Sequence, residues 1–197
     1  MRVFISGGCK NGKSSFAEAW SVFQAGADRP LYYLATMVPR DAEDQARIRQ
    51  HRLMREGIPF QTIEEPLRIG QALSACDPGG QILLDSMTAW LENAMFPRAG
   101  CLESAAADTL AAELVQILRR FDRITVVSDT LASDAFFYDP WTETFRQGLA
   151  RLDRVAAACC EGVVEICAGQ PVIHKGRELL TGDPQIRSWL NAWRGIS

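Results

Sequence analysis

Short apolar runs alternate with longer amphipathic ones from one end of the chain to the other. Arg2–Ser6, Leu31–Thr36, Gln81–Ser86, Ile124–Ser128 and Val163–Ala168 are rich in β-branched or aromatic residues and end at breakers or polar turns, which predicts buried strands. Runs this apolar suit parallel strands covered on both faces. Helical patterns fill the gaps at Lys13–Ala25, Ala42–Arg55, Leu67–Ala75, Thr88–Met95, Ser104–Phe121 and Thr142–Cys160. A last helix is predicted near Pro184–Trp193, with Asp183 as its N-cap and proline in its first turn. Pro59–Glu65 reads equally as an edge strand or a loop, and Pro171–Lys175 as a short hairpin partner to the strand before it. Strand and helix in alternation predict an α/β fold of three layers with a mostly parallel central sheet. No repeat or linker interrupts the pattern, so one domain over residues 1–197 is expected.

A chain of 197 residues suits a single domain that buries roughly 70% of its unfolded surface. An apolar fraction of 47% excludes a disordered chain. The net charge of −3 argues against a nucleic-acid binder, which carries a basic surplus, yet leaves room for a local phosphate site. No apolar run approaches the roughly 20 residues of a membrane-spanning helix, and the apolar start is too short for a signal peptide. The six cysteines form no CxxC pair and fit neither a disulfide framework nor a zinc site. They read as reduced thiols of a cytoplasmic protein, mostly core filler.

Gly7-Gly8-Cys9-Lys10-Asn11-Gly12-Lys13-Ser14 matches G-x-x-x-x-G-K-[ST] between a β-branched strand and a helical run. Glycines let the backbone curl so that successive N–H groups point at phosphate oxygens. The helix that follows adds its positive N-terminal end. Lys13 would reach the β/γ-phosphates, and the Ser14 hydroxyl would ligate Mg²⁺. The plainer alternative is an ordinary glycine-rich strand-to-helix turn. Asp85, closing Ile82-Leu83-Leu84, is the candidate acid for the metal, or else a turn residue or helix cap. Asp129, at the end of another strand, stands equally between ligand edge and cap. These residues predict a P-loop NTPase-like domain that takes a nucleoside triphosphate with Mg²⁺, without naming the acceptor.

Of the two histidines, His174 beside Lys175 in the predicted hairpin reads as structural. His51 lies in the arginine-rich helix, with Arg47 at i−4 and Arg55 at i+4 on its face. Cations disfavour protonation of the imidazole and would keep it nucleophilic near neutral pH. The same arginines could hold phosphate oxygens in bidentate contacts. From spacing alone, an exposed histidine on a charged helix is the simpler reading.

Four segments in order resemble the bifunctional adenosylcobinamide kinase/adenosylcobinamide-phosphate guanylyltransferase family of cobalamin biosynthesis. They are Ile5–Ser15 (ISGGCKNGKSS), Tyr33-Leu34-Ala35-Thr36, Arg47–Arg52 (RIRQHR) and Ile82–Asn93 (ILLDSMTAWLEN). Thr62–Pro66 and Gly169–Gly176 fit more weakly. The resemblance implies two activities at one nucleotide site. A kinase step, using GTP or ATP, phosphorylates the aminopropanol hydroxyl of the corrinoid. A second step moves GMP from GTP onto that phosphate and releases pyrophosphate. It also implies a histidine carrying GMP as a phosphoramidate, which falls on His51, and a small homo-oligomer. Nucleotide contacts would come from Gly7 to Ser15 (Ser15 included), Arg47 and Arg52, with Lys13 and Ser14 stabilising charge on the phosphates.

The chain departs from the resembled family after Val126-Val127-Ser128. Where members commonly carry N-E-x-G and then G-I-V-P, this chain has Asp129-Thr130-Leu131-Ala132-Ser133-Asp134 and then Ala135–Pro140. If that loop orients the acceptor or helps hold metal, one activity is weakened or aimed at a related corrinoid. Phe136-Phe137-Tyr138 is an aromatic stretch that suits a corrin-binding wall, the core or a subunit contact. Trp189 and Trp193 should pack inward or against another subunit. Two other readings stay open: a kinase without the transferase step, and a P-loop switch or metal chaperone. No N-K-x-D guanine motif occurs in the chain.

Overall fold

The computed structural model describes residues 1–131 and 136–196. Among the described residues seven strands form one sheet in the order β3-β2-β4-β5-β1-β6-β7. They are β1 (Arg2–Gly7), β2 (Leu31–Ala35), β3 (Phe60–Glu64), β4 (Gln81–Asp85), β5 (Ile124–Asp129), β6 (Gly162–Cys167) and β7 (Gln170–Lys175). The first six run parallel, and β7 returns antiparallel to β6 through a tight turn. The helices are α1 (Lys13–Ala25), α2 (Ala42–Met54), α3 (Ile69–Ala72), α4 (Met87–Met95), α5 (Ala106–Arg120), α6 (Pro140–Cys159), α7 (Arg177–Gly182) and α8 (Pro184–Ile196).

Alternation along the strands builds two cores, one on each face of the sheet. Phe4, Leu34, Ile82, Leu84 and Val126 point to one side, where Trp90 of α4, Leu114 of α5, Phe121 just after it and Leu152 of α6 cover them. Val3, Ile5, Tyr33, Leu83 and Val127 point to the other, where Phe16 and Trp20 of α1 and Leu190 of α8 pack. Helices therefore lie on both faces, as the strand–helix alternation predicts.

Several local expectations are settled by packing. Phe60–Glu64 does pair, as the outer strand beside β2, and its exposed Gln61, Thr62 and Glu64 explain its ambiguous polarity. The Leu67–Ala75 helix is shorter than its pattern: one α-turn, then a 3-10 turn over Leu73–Ala75. The six-residue α7 was not expected; Gly176, at φ 77°, starts it where a Cβ would meet Glu161 O at 2.3 Å. Trp189 and Trp193 pack inward, edge-on to Phe16. The cysteines correct the expectation of core filler: only Cys76 and Cys160 are buried, while Cys9 and Cys167 are exposed. The exposed pair sits where chain leaves the ligand-binding edge of the sheet, and such turns face water. Burial pushes the Cys160 thiol up to about 12, so it behaves as an inert apolar group. No helix among the described residues is long and apolar enough to cross a membrane.

Parallel registry brings the C-terminal ends of β1, β5, β4 and β2 to one edge. Gly7 stands opposite Asp129, Val127 opposite Asp85, and Asp85 opposite Ala35. Open α/β sheets bind ligands at this edge.

Candidate active site

The phosphate loop leaves β1 at Gly7, where a Cβ would fall 2.7 Å from Ile166 O, so only glycine lets β1 approach β6 this closely. Lys10 and Gly12 both adopt positive φ, at 58° and 83°, and curl the loop back on itself. Asn11 Nδ2 donates to Ile166 O at 3.0 Å and ties the loop to β6. α1 then starts at Lys13 and Ser14, so its free first-turn N–H groups lie at the end of the loop.

Lys13 Nζ meets Asp129 Oδ1 at 2.6 Å and donates to Gly8 O at 3.3 Å. Asp129 is aimed by the backbone around it. Its own N–H donates to Thr88 Oγ1 at 3.0 Å, and the following Thr130 N–H donates to Gly7 O at 3.0 Å. Of the two strand-end acids, Asp129 is therefore the one that pairs with the lysine. Asp85 lies one strand further out, because β5 separates β4 from β1.

The other end of the edge is assembled from side chains distant in sequence. Asp41 caps α2 by accepting the Asp44 N–H at 2.8 Å, and His51 sits half-buried in the last turn. Arg55 follows the helix and is buried. Its guanidinium lies 3.4 Å from Glu18 Oε1 of α1 and 3.6 Å from the centre of the Tyr33 ring. Tyr33 donates its hydroxyl to Asp85 Oδ2 at 2.8 Å. Glu18, Arg55, Tyr33 and Asp85 thus form one chain linking the helix of the phosphate loop, the helix of His51 and two strands.

Electrostatics follow from that burial. Desolvation pushes Glu18 up to about 7 against the pull of Arg55. Desolvation, then the neighbouring Asp85 carboxylate, holds the Tyr33 phenol well above its usual range. His51 is pushed below the usual imidazole value by burial first, with Arg55, Arg47 and Lys13 acting the same way and Asp85 opposing them. The result is a neutral imidazole in charge reach of both the phosphate-loop lysine and the strand-end acid, the state a nucleophile needs.

The segments that carry the resemblance sew this edge together. Thr36 Oγ1 donates to Ser86 O at 2.8 Å and accepts the Ser86 N–H at 2.9 Å. Ser86 caps α4. Asn93 Nδ2 donates to Thr36 O at 2.7 Å, and Trp90 Nε1 donates to Leu67 O at 3.0 Å. These are buried or half-buried polar groups with partners, which locks the ends of β2 and β4 to α4.

Two expected phosphate partners point elsewhere. Arg47 pairs with Glu43 and Asp44 on its own helix, and Arg52 pairs with Glu64 on β3. Arg55, expected beside His51 as a phosphate partner, is instead buried against Glu18 and Tyr33, and Glu18 is not among the expected site residues. Arg55 had a signal in its i+4 spacing from His51; Glu18 had only its place as a charge on the apolar face of α1, between Phe16 and Trp20. His174 pairs with Glu165 across the β6–β7 ladder at 2.8 Å, in keeping with a structural role. Ala132–Ala135, within the segment that departs from the family pattern, lie outside the described residues.

A curled glycine loop, a lysine at a helix start and acids at neighbouring strand ends define a nucleotide-binding α/β protein of the P-loop class. Solved structures agree on the fold. A KaiC-like protein from Pyrococcus horikoshii OT3 superposes with a TM-score of 0.50 at 14% identity, over 90% of this chain and 80% of its own. An ATPase from the type III secretion system of pathogenic bacteria gives 0.51 at 16% identity, over 98% of this chain and 61% of its own. The particular family is given by sequence: the model of the family described as cobinamide kinase / cobinamide phosphate guanyltransferase matches residues 3–173, and the chain belongs to that family. The bifunctional adenosylcobalamin biosynthesis protein CobP of Pseudomonas aeruginosa is 30% identical over 181 residues, 91% of this chain and all of the relative. The chain is therefore a transferase of the corrinoid pathway, with cobinamide kinase and cobinamide phosphate guanyltransferase as its activities.

Proposed function

We propose that one nucleotide site runs both reactions and that His51 is the group that carries GMP. What supports this is the half-buried His51 in the last turn of α2, whose surroundings favour the neutral imidazole and which lies within charge reach of Lys13 and Asp85. In the first transfer an imidazole nitrogen of His51 attacks the α-phosphorus of GTP. The bond to the β-phosphate oxygen breaks and pyrophosphate leaves. A phosphate oxygen of cobinamide phosphate then attacks the same phosphorus, the P–N bond breaks, and His51 is restored. In the kinase reaction the loop from Gly7 to Ser15 binds the triphosphate of GTP or ATP, with Lys13 on the β/γ-phosphates. Lys13 exchanges Asp129 for phosphate oxygens as nucleotide arrives. Arg47 and Arg52, at the surface of α2, leave their carboxylate partners for the nucleotide.

Ser14 and Asp85 suit Mg²⁺. Both offer oxygen, and Asp85 Oδ1 takes no hydrogen bond among the described residues. A hard cation that keeps waters and phosphate oxygens needs few protein ligands, and when bound it neutralises charge on the phosphates. The working form is a single domain over residues 1–197, cytoplasmic and homo-oligomeric.

Incubation with Mg²⁺ and GTP without acceptor, followed by intact-protein mass spectrometry, tests the reading. The expected result is a gain of one GMP that is labile to acid and absent in His51→Ala, while His51→Ala still phosphorylates cobinamide. Full guanylyl transfer by His51→Ala would overturn the covalent route. Nucleotide binding without any adduct would leave a kinase alone.

A further inference from the structure

Beside the nucleotide edge lies an open groove of about 590 Å³, of the size that holds small molecules. The end of α4, the loop 97–101, the start of α6 and the loops after β2 and β3 form its walls. One wall is aromatic: the rings of Phe96 and Trp141 lie 20° apart in tilt with centroids 6.4 Å apart. Val38, Leu67 and Trp141 are 41%, 43% and 44% exposed, so the groove presents apolar surface to water. Its rim is charged. Arg40 pairs with Glu92 at 3.1 Å, whereas no hydrogen bond or ion pair occupies the Arg98 guanidinium among the described residues. The groove is also wired to the catalytic edge. Asn93, in its lining, donates to Thr36 O, and Thr36 holds Ser86, the neighbour of Asp85.

We propose that this groove seats the corrin ring of the acceptor, with the Phe96–Trp141 wall against the ring and Arg98 donating to its amide arms. The inference rests on the functional reading above, which supplies a corrinoid acceptor. A corrin is a broad apolar ring fringed by primary amides. It needs an aromatic wall and a donor at its fringe; Phe96 and Trp141 supply the first and Arg98 the second. A second hollow of about 490 Å³, between α1 and α8, is lined by Phe23, Pro184, Gln185, Ser188, Trp189 and Ala192. It carries no charged side chain and so lacks the spare cationic donor that an amide-fringed ligand would use.

The test compares wild type with Trp141→Ala and Arg98→Ala, both changes at the groove surface. Equilibrium dialysis of cobinamide reads the groove; GMP loading of His51 without acceptor reads the nucleotide site. Each variant should weaken cobinamide binding about tenfold, as truncation of an anchoring Trp or Arg does. GMP loading should stay within about twofold, because the substituted groups do not touch the nucleotide. Wild-type cobinamide affinity in both variants, with wild type itself loading GMP and binding cobinamide, overturns the site alone. A change in oligomeric mass with unchanged cobinamide affinity overturns it in favour of a contact between copies of this chain. A wild-type chain that takes no GMP and binds no cobinamide overturns the functional reading, and this site with it.

Discussion

At the Lys13 end of the sheet edge, nearly every functional group comes from eight consecutive residues and the strand beside them. At the His51 end, α1, β2, the close of α2 and β4 each contribute one side chain to a buried relay. The first arrangement offers backbone N–H groups and a lysine held by a single carboxylate, Asp129, which an arriving polyanion would replace. The second is already satisfied within the protein, and its function is to hold a helix and an imidazole in place. A binding loop can be local because phosphate is recognised by backbone. An imidazole's orientation and protonation depend on everything packed around it, so that end of the site is necessarily non-local.

The sharpest way to break this contrast is Lys13→Ala. Both reactions need the triphosphate held and its charge stabilised, so each should fall by about a hundredfold or more in steady-state assays. A loss confined to the kinase step would show that GMP transfer uses a different phosphate grip.

Arg55→Met attacks the other end. Removing one member of a buried ion pair should cost about 3 kcal/mol in chemical denaturation, although Glu18 softens the loss by taking up a proton. The pH dependence carries the sign. Arg55 disfavours the imidazolium of His51, together with burial, Arg47 and Lys13 and against Asp85. Its removal therefore raises the His51 pKa, and the acid limb of GMP loading should move to higher pH. Arg55→Lys should restore that limb in part without restoring the stacked contact on Tyr33. A pH profile that does not move would reduce Arg55 to packing alone.

Asp129→Asn should have the smallest effect and sharpen the comparison most. Lys13 must leave this carboxylate to take phosphate, so the amide should tighten nucleoside-triphosphate binding about threefold, measured by calorimetry. Weaker phosphoryl transfer with tighter binding would place Asp129 on the acceptor as well.

The strand–helix alternation and the phosphate loop are legible in the residues alone, because each is written in local spacing; His51 stands out only through the family resemblance, since its own spacing reads as an exposed histidine on a charged helix. Near-continuous apolar runs flanked by helical periodicity have few solutions other than a covered parallel sheet, and the loop's glycines, lysine and serine are contiguous. Tertiary structure decided the rest. Asp85 and Asp129 look alike as strand-end acids, and only the strand order, with β5 beside β1, assigns the lysine to Asp129. Arg47 and Arg52 look like phosphate ligands on the histidine's helix, and only the fold shows them engaged with Glu43, Asp44 and Glu64. Glu18 gave almost no signal at all. Its partner stands 37 residues away, and a buried charge is tolerated at such a position only once packing has brought its counter-charge to meet it.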